Sequence, residues 1–168
     1  ERRISIVLIK TIIASNRLNL SMSSGGLQDQ LVLSPSQEKE SKERVASAIS
    51  NSHYRLPNRK IIVNLAPADL PKSGSGLDLA IAIGILAASK QIPVRDLQQY
   101  EFIGELALSG AIRGVKAIIP IILAAKRKQK TIIISSENAE EASITGYNQV
   151  LVASHLQEVT GYLCQKNT

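Results

Sequence analysis

One segment constrains this chain more than any other. Leu77–Ser89 reads LDLAIAIGILAAS, and between Asp78 and Ser89 it carries no polar side chain. A helix that is apolar on every side cannot lie on a surface, so this one is expected to be central and buried. The rest of the chain must then supply layers around it. With 168 residues it can do so as one domain, because a domain of this size buries roughly 70% of its unfolded surface without a metal or disulfide. The hydrophobic share of 44% excludes a disordered chain. Aromatic residues make up only 3%, with no Trp and one Phe. The core is therefore aliphatic, and modules that bind bases by stacking are disfavoured.

The remaining pattern alternates strands and helices. Ile4–Ile13 reads as a buried strand, since Lys10 interrupts the apolar run too early for a signal peptide. Leu18, Leu20 and Met22 alternate with polar residues, Ser23–Gly26 is a turn, and Leu27–Leu33 reads as the return strand of a hairpin. Ser36 is the expected N-cap of a helix reaching Ser52. Its pairs Glu38–Lys42, Lys39–Glu43 and Glu40–Arg44 form a solvated face, and Val45, Ala46, Ala48 and Ile49 form an apolar one. Lys60–Leu65 and Tyr100–Leu108 are strands, and Val115–Gln129 is a helix. From Thr131 onward a strand–helix–strand–helix order implies a parallel pair. The expected class is α/β in the broad sense, an α+β mixed sheet rather than a purely doubly wound one. No segment reaches the ~18 consecutive apolar residues of a membrane span.

Net charge is 20 − 14 = +6, and it is uneven. Residues 1–60 hold ten Lys/Arg against five Asp/Glu, while residues 61–168 hold ten against nine. Within that second part Lys126, Arg127, Lys128 and Lys130 cluster at a helix end. They complement the helix dipole there, and they are also the first candidates for phosphate contact. Arg55, Arg59 and Lys60 are the second group. Cys164 stands alone, which excludes an internal disulfide and fits a reducing compartment. His53 and His155 are isolated from any ligand pattern, so no metal site is expected. The sequence contains no Gly-x-x-x-x-Gly-Lys-[Ser/Thr], so it has no phosphate-cradling loop of that kind.

The loop Pro71–Asp78 leads into the apolar helix. Its candidates are Pro71, Lys72, Ser75 and Asp78, with Ser75 as a possible N-cap and Asp78 meeting the free N–H groups of the first turn. Three roles stay open for this loop: a capped helix start, an anion site, and a Ser–Lys nucleophile.

Ile62–Ser89 (IVNLAPADLPKSGSGLDLAIAIGILAAS), Tyr100–Arg127 (YEFIGELALSGAIRGVKAIIPIILAAKR) and Lys39–Ser52 (KESKERVASAISNS) closely resemble the N-terminal domain of the ComM/YifB family, magnesium-chelatase-like AAA+ proteins of bacteria. The resemblance implies a ribosomal protein S5 domain 2-like fold, shared with the proteolytic domain of Lon. It further implies one Lon-like domain over 1–168 in a cytoplasmic protein. The AAA+ ATPase module, absent from this chain, is the expected partner. ATP and Mg²⁺ would enter only through that module, so no cofactor is expected here. The implied assembly is a hexameric motor acting on DNA in recombination and competence, with weak, non-specific DNA contact and no membrane.

Comparison with Lon is possible residue by residue. The Lon nucleophile run, P-K-D-G-P-S-A-G, resembles this chain at Pro71, Lys72 and Gly74, but the nucleophile's place falls on Gly76 and Ser75 comes one position early. The run that precedes the Lon lysine, G-E-x-x-L-x-G, is matched by Gly104, Glu105, Leu108 and Gly110, and the lysine's place falls on Ile119. Both members of the dyad are replaced. The expectation is a non-catalytic scaffold or DNA-guiding domain. The alternatives are a divergent peptidase using Ser75 with Lys72 or Lys116, and a remnant without activity. A serine-directed acylating probe checks this. Ser75 should stay unlabelled, and Ser75→Ala should cost no more than about 1 kcal/mol in thermal unfolding. Selective labelling of Ser75 would establish the peptidase instead.

Overall fold

The computed structural model describes residues 4–9, 17–23, 35–57, 60–66, 74–93 and 95–166, with side chains for 40–57, 76–93, 95–97 and 99–166. The chain opens with β1 (Ile4–Ile9) and β2 (Arg17–Ser23), followed by α1 (Pro35–Asn51) and β3 (Lys60–Ala66). β2 is the middle strand of an antiparallel sheet, with Leu8 opposite Asn19 and Leu20 opposite Val63. The expected return strand Leu27–Leu33 lies outside the described residues. β2 instead pairs with the strand before it and with β3, beyond α1. That helix begins at Pro35 rather than after an N-cap at Ser36, since proline suits the first helical position.

A short 3-10 turn over Gly74–Leu77 leads into α2 (Asp78–Ala88), every residue of which is buried. Its neighbours come from all sides. Val45, Ala48 and Ile49 of α1 join it in one cluster with Phe102, Leu106, Ile133, Leu156, Val159 and Leu163. Thus the all-round apolar pattern is matched by an all-round packing environment.

The second sheet contains β4 (Tyr100–Ile103), β7 (Thr131–Ser135) and β8 (Val150–Ala153), all parallel, in the order β4-β7-β8. Between β4 and β7 lie the short strands β5 (Glu105–Leu106) and β6 (Ile112–Arg113) and the helix α3 (Ile118–Arg127). α4 (Ala139–Ile144) crosses from β7 to β8, and α5 (Leu156–Lys166) follows. The expected strand over Tyr100–Leu108 is therefore two strands, broken at Gly104. The expected β7–β8 pair is present, and β4 extends it to three parallel strands.

Strand alternation divides the core. Phe102 and Ile133 face α2, whereas Ile103, Ile132 and Ile134 face a second cluster with Ile118, Ile122 and Ala125 of α3 and Ala142 of α4. The parallel sheet is thus covered on both faces, as such sheets require.

One residue departs from this apolar plan. Glu101 is 0% exposed, and neither carboxylate oxygen has a hydrogen-bond partner. Burial pushes its carboxyl up to about 7 from an ordinary 4.5, against the nearby charges of Lys130 and Lys128, which lower it. The folded state therefore binds this proton more tightly than the unfolded chain does. The resulting stability is fully present below about pH 4.5 and is lost as pH rises through about 7. Glu101→Gln should match the wild type in acid and exceed it at pH 8 by about 2–3 kcal/mol, at 1.36 kcal/mol per pKa unit. Chemical denaturation at pH 5 and pH 8 checks this, and an equal effect at both pH values would contradict it.

Candidate functional site

The N-terminus of α2 is where the Lon resemblance places its chemistry, and backbone bonds fix it there. Gly104 N–H donates to Gly76 O at 2.9 Å, and Leu79 N–H donates to Gly104 O at 3.1 Å. The break between β4 and β5 is what allows this docking. A Cβ at Gly104 would stand 2.6 Å from Ile112 Cγ2, closer than any side chain tolerates.

Asp78 does not cap its own helix. The N-cap position is Leu77, with no side-chain bond, so Ser75 is not the cap. The fully buried Asp78 carboxylate instead gathers donors from two other elements. Ser41 Oγ donates to Oδ1 at 2.8 Å, and Leu106 N–H donates to Oδ2 at 3.1 Å. Arg44 grips both oxygens, with Nε 2.7 Å from Oδ2 and Nη2 3.3 Å from Oδ1. One carboxylate thereby ties α1, α2 and β5 together. Burial raises the Asp78 carboxyl above its ordinary range, while the bonds from Arg44, Ser41 and Leu106 pull it down. The bond to Asp78 raises the Arg44 guanidinium further; burial opposes this, and the charges of Asp78, half-buried Glu105 and exposed Glu40 add to it.

Beside this clasp, the two dyad positions are apolar surroundings. A Cβ at Gly76 would stand 3.3 Å from Val115 Cγ1, so a side chain at the nucleophile's place would require Val115 to give by a few tenths of an ångström. Val115 and Ile119, the latter at the lysine's place, both pack against the second core cluster. Lys116 is exposed. Pro71 and Lys72 lie outside the described residues, and Ser75 is placed only as backbone in the 3-10 turn.

The basic residues fall into separate groups. Lys126 and Arg127 end α3, Lys128 is its C-cap, and all three are exposed. Lys130 is half-buried. Their turn is closed by Gln129 N–H donating to Lys126 O at 3.0 Å and Lys130 N–H donating to Ala125 O at 3.1 Å, with Gln129 at φ +54°. This is the left-handed cap that satisfies a helix's last carbonyls. Tyr147 Oη adds a 2.6 Å bond to Lys130 O. Four cations are thus carried on a backbone with little freedom. Arg55 sits on another loop, its backbone held by Gln91 Oε1 and Nε2 at 2.8 and 2.7 Å. Lys60 begins β3, and Arg59 lies outside the described residues.

The family of subunit ChlI of Mg-chelatase matches residues 19–138. This chain belongs to that family, on its ComM/YifB branch. Competence protein ComM of Haemophilus influenzae is 49% identical over 125 residues, which cover 74% of this chain and 25% of the relative. The YifB protein of Salmonella typhimurium is 48% identical over the same shares. Lon protease 2 of Bacillus subtilis is 29% identical over 116 residues, 68% of this chain and 20% of its own length. The chain spans about a quarter of the length of its ComM and YifB relatives. Its mixed α/β architecture is the Lon-like one.

The ChlI-family match reaches from β2 through α3 to Asn138, so it includes the clasp, the dyad positions and the basic turn. The phosphate-cradling motif is missing from the sequence, and among the described residues no group of three or more His, Cys, Asp or Glu is placed to hold a metal. Nor is any helix among them long and apolar enough to cross a membrane.

The clasp generates a stability prediction. Asp78→Asn puts an amide N–H₂ where only donors point and deprives Arg44 of its buried counter-ion, leaving only the longer contact to exposed Glu40. Thermal and urea unfolding should show a loss of about 2–4 kcal/mol. A loss below about 0.5 kcal/mol would contradict the geometry.

Proposed function

We propose that this chain is a non-catalytic Lon-like domain of a ComM/YifB-type protein, and that it guides DNA toward an AAA+ ATPase module. The observation that carries the first half is that Gly76 and Ile119 stand at the dyad positions, both against apolar neighbours. A Ser–Lys mechanism needs a hydroxyl and a deprotonated amine within hydrogen-bond reach. Gly76 and Ile119 provide neither. The clasp of Asp78 by Arg44 and Ser41 then serves architecture, holding α2 to α1 and to the β4–β5 break.

The second half rests on the basic turn. A helix end with four cations on a closed backbone suits phosphates, which need charge and no base-reading geometry. The name of the Haemophilus influenzae relative, a competence protein, favours DNA as the polyanion. In this reading ATP and Mg²⁺ act only through the AAA+ module, the assembly is a homo-hexamer, and the setting is the bacterial cytoplasm.

Binding should be weak and independent of sequence, with Kd on the order of 10⁻⁴–10⁻⁶ M at physiological salt. Fluorescence anisotropy with a labelled single-stranded oligonucleotide at two salt concentrations checks this. Affinity should fall steeply with salt, and replacing Lys126, Arg127, Lys128 and Lys130 with Gln should weaken it further. Salt-insensitive binding, or binding unchanged by the replacements, would overturn the assignment.

A further inference from the structure

The basic turn has a buried acid beneath it. Glu101 pairs in register with Ile132 of β7, and alternation places it with Ile103 on the face that meets α3. Lys130 stands two residues before Ile132, at the entry to the same strand. Both oxygens of the Glu101 carboxylate are buried without a hydrogen bond. What compensates its charge is the field of Lys130 and Lys128. The third titratable neighbour is Tyr147, from the loop after α4, whose hydroxyl is pushed up by burial and by the Glu101 charge. α3 adds the exposed Lys126 and Arg127 above the turn, and α4 carries Glu140 and Glu141 exposed to solvent.

We propose that Glu101 and the phosphates of single-stranded DNA compete for Lys128 and Lys130, so that DNA binding at this turn is coupled to proton uptake by the buried carboxyl. The coupling rests on the reading of the turn as a DNA contact. When phosphates engage the two lysines, less of their field remains at Glu101. An ionised carboxylate with no hydrogen bond then loses its main compensation, and it takes a proton from solvent. By reciprocity, ionising Glu101 weakens the hold on phosphate. The balance lies near neutrality, since burial already brings this carboxyl to about 7. A surface acid would be ionised throughout and would lower affinity at every pH. Glu101 differs because burial makes its charge conditional.

The test uses the 168-residue chain and a fluorescein-labelled single-stranded oligonucleotide. Affinity is measured at pH 6, 7 and 8 at constant ionic strength, for wild type, Glu101→Gln and the four-fold Gln replacement of the basic turn. Wild-type affinity should fall about three- to ten-fold from pH 6 to pH 8. Glu101→Gln should hold its pH 6 affinity throughout. Any other group that changes charge over this range is common to both proteins and cancels in the comparison. Calorimetry at pH 7 in two buffers of different ionisation enthalpy should show net proton uptake by the wild type and none attributable to binding in Glu101→Gln. Binding that depends on the basic turn but has the same pH profile in both proteins would overturn the coupling and leave the DNA reading standing. Absence of binding, or binding indifferent to the four-fold replacement, would overturn both.

Discussion

A buried carboxylate holds the domain's three central pieces in one arrangement. The Asp78 side chain is closed off from water and accepts four hydrogen bonds, two of them from Arg44, one from Ser41 and one from the Leu106 amide. An isolated charge in that position would be expelled or neutralised, because desolvation outweighs everything but close and well-aimed donors. The donors come from α1 and β5, so each of these elements must stand in its observed place for the carboxylate to remain. α2 itself supplies nonspecific apolar burial, which fixes that it lies inside but not its depth or rotation. The clasp supplies the missing direction.

The second buried carboxylate follows the opposite logic. The Glu101 carboxylate has no hydrogen bond, and among the described residues its charge is compensated by Lys130 and Lys128 at the edge of the cluster. The first acid is tied into the architecture; the second responds to whatever occupies the lysines above it. The clasp lies where α2 meets the β4–β5 break, and the basic turn joins α3 to β7. A nucleotide strand tracking the turn would therefore leave the clasp intact. In this account the Lon-like fold keeps its frame at the positions that resemble the Lon dyad, and the proposed phosphate contact lies elsewhere.

Much of the fold was legible because it depends on local pattern. The burial of α2 followed from its lack of a polar face, and the parallel β7–β8 pair followed from alternating strand and helix signals. What was not legible depends on distant partners. Arg44 looked like a member of a solvated face and Ser41 carried no signal, because Asp78 stands 34 and 37 residues away. Nothing local distinguishes an arginine paired with Glu40 from one that also reaches a buried acid. Likewise Tyr100–Leu108 read as one strand, since the need for Gly104 appears only when Ile112 and Leu79 approach it. Glu101 carried no signal of its own in the sequence. It became a buried acid because α3 packs over that face of the sheet. The replacement of both dyad residues was visible in the sequence, whereas the approach of the Val115 side chain to Gly76 was visible only in three dimensions.

A double-mutant cycle between Arg44 and Asp78 tests the central claim most directly. Arg44→Met, Asp78→Asn and the double variant would be compared with wild type by urea unfolding. If the buried carboxylate organises the domain through Arg44, the double variant should be much less destabilised than the sum of the two single ones, with a coupling of about 1.5–3 kcal/mol. Additive losses, with coupling below about 0.5 kcal/mol, would mean that the two residues act independently and that the clasp does not hold the fold.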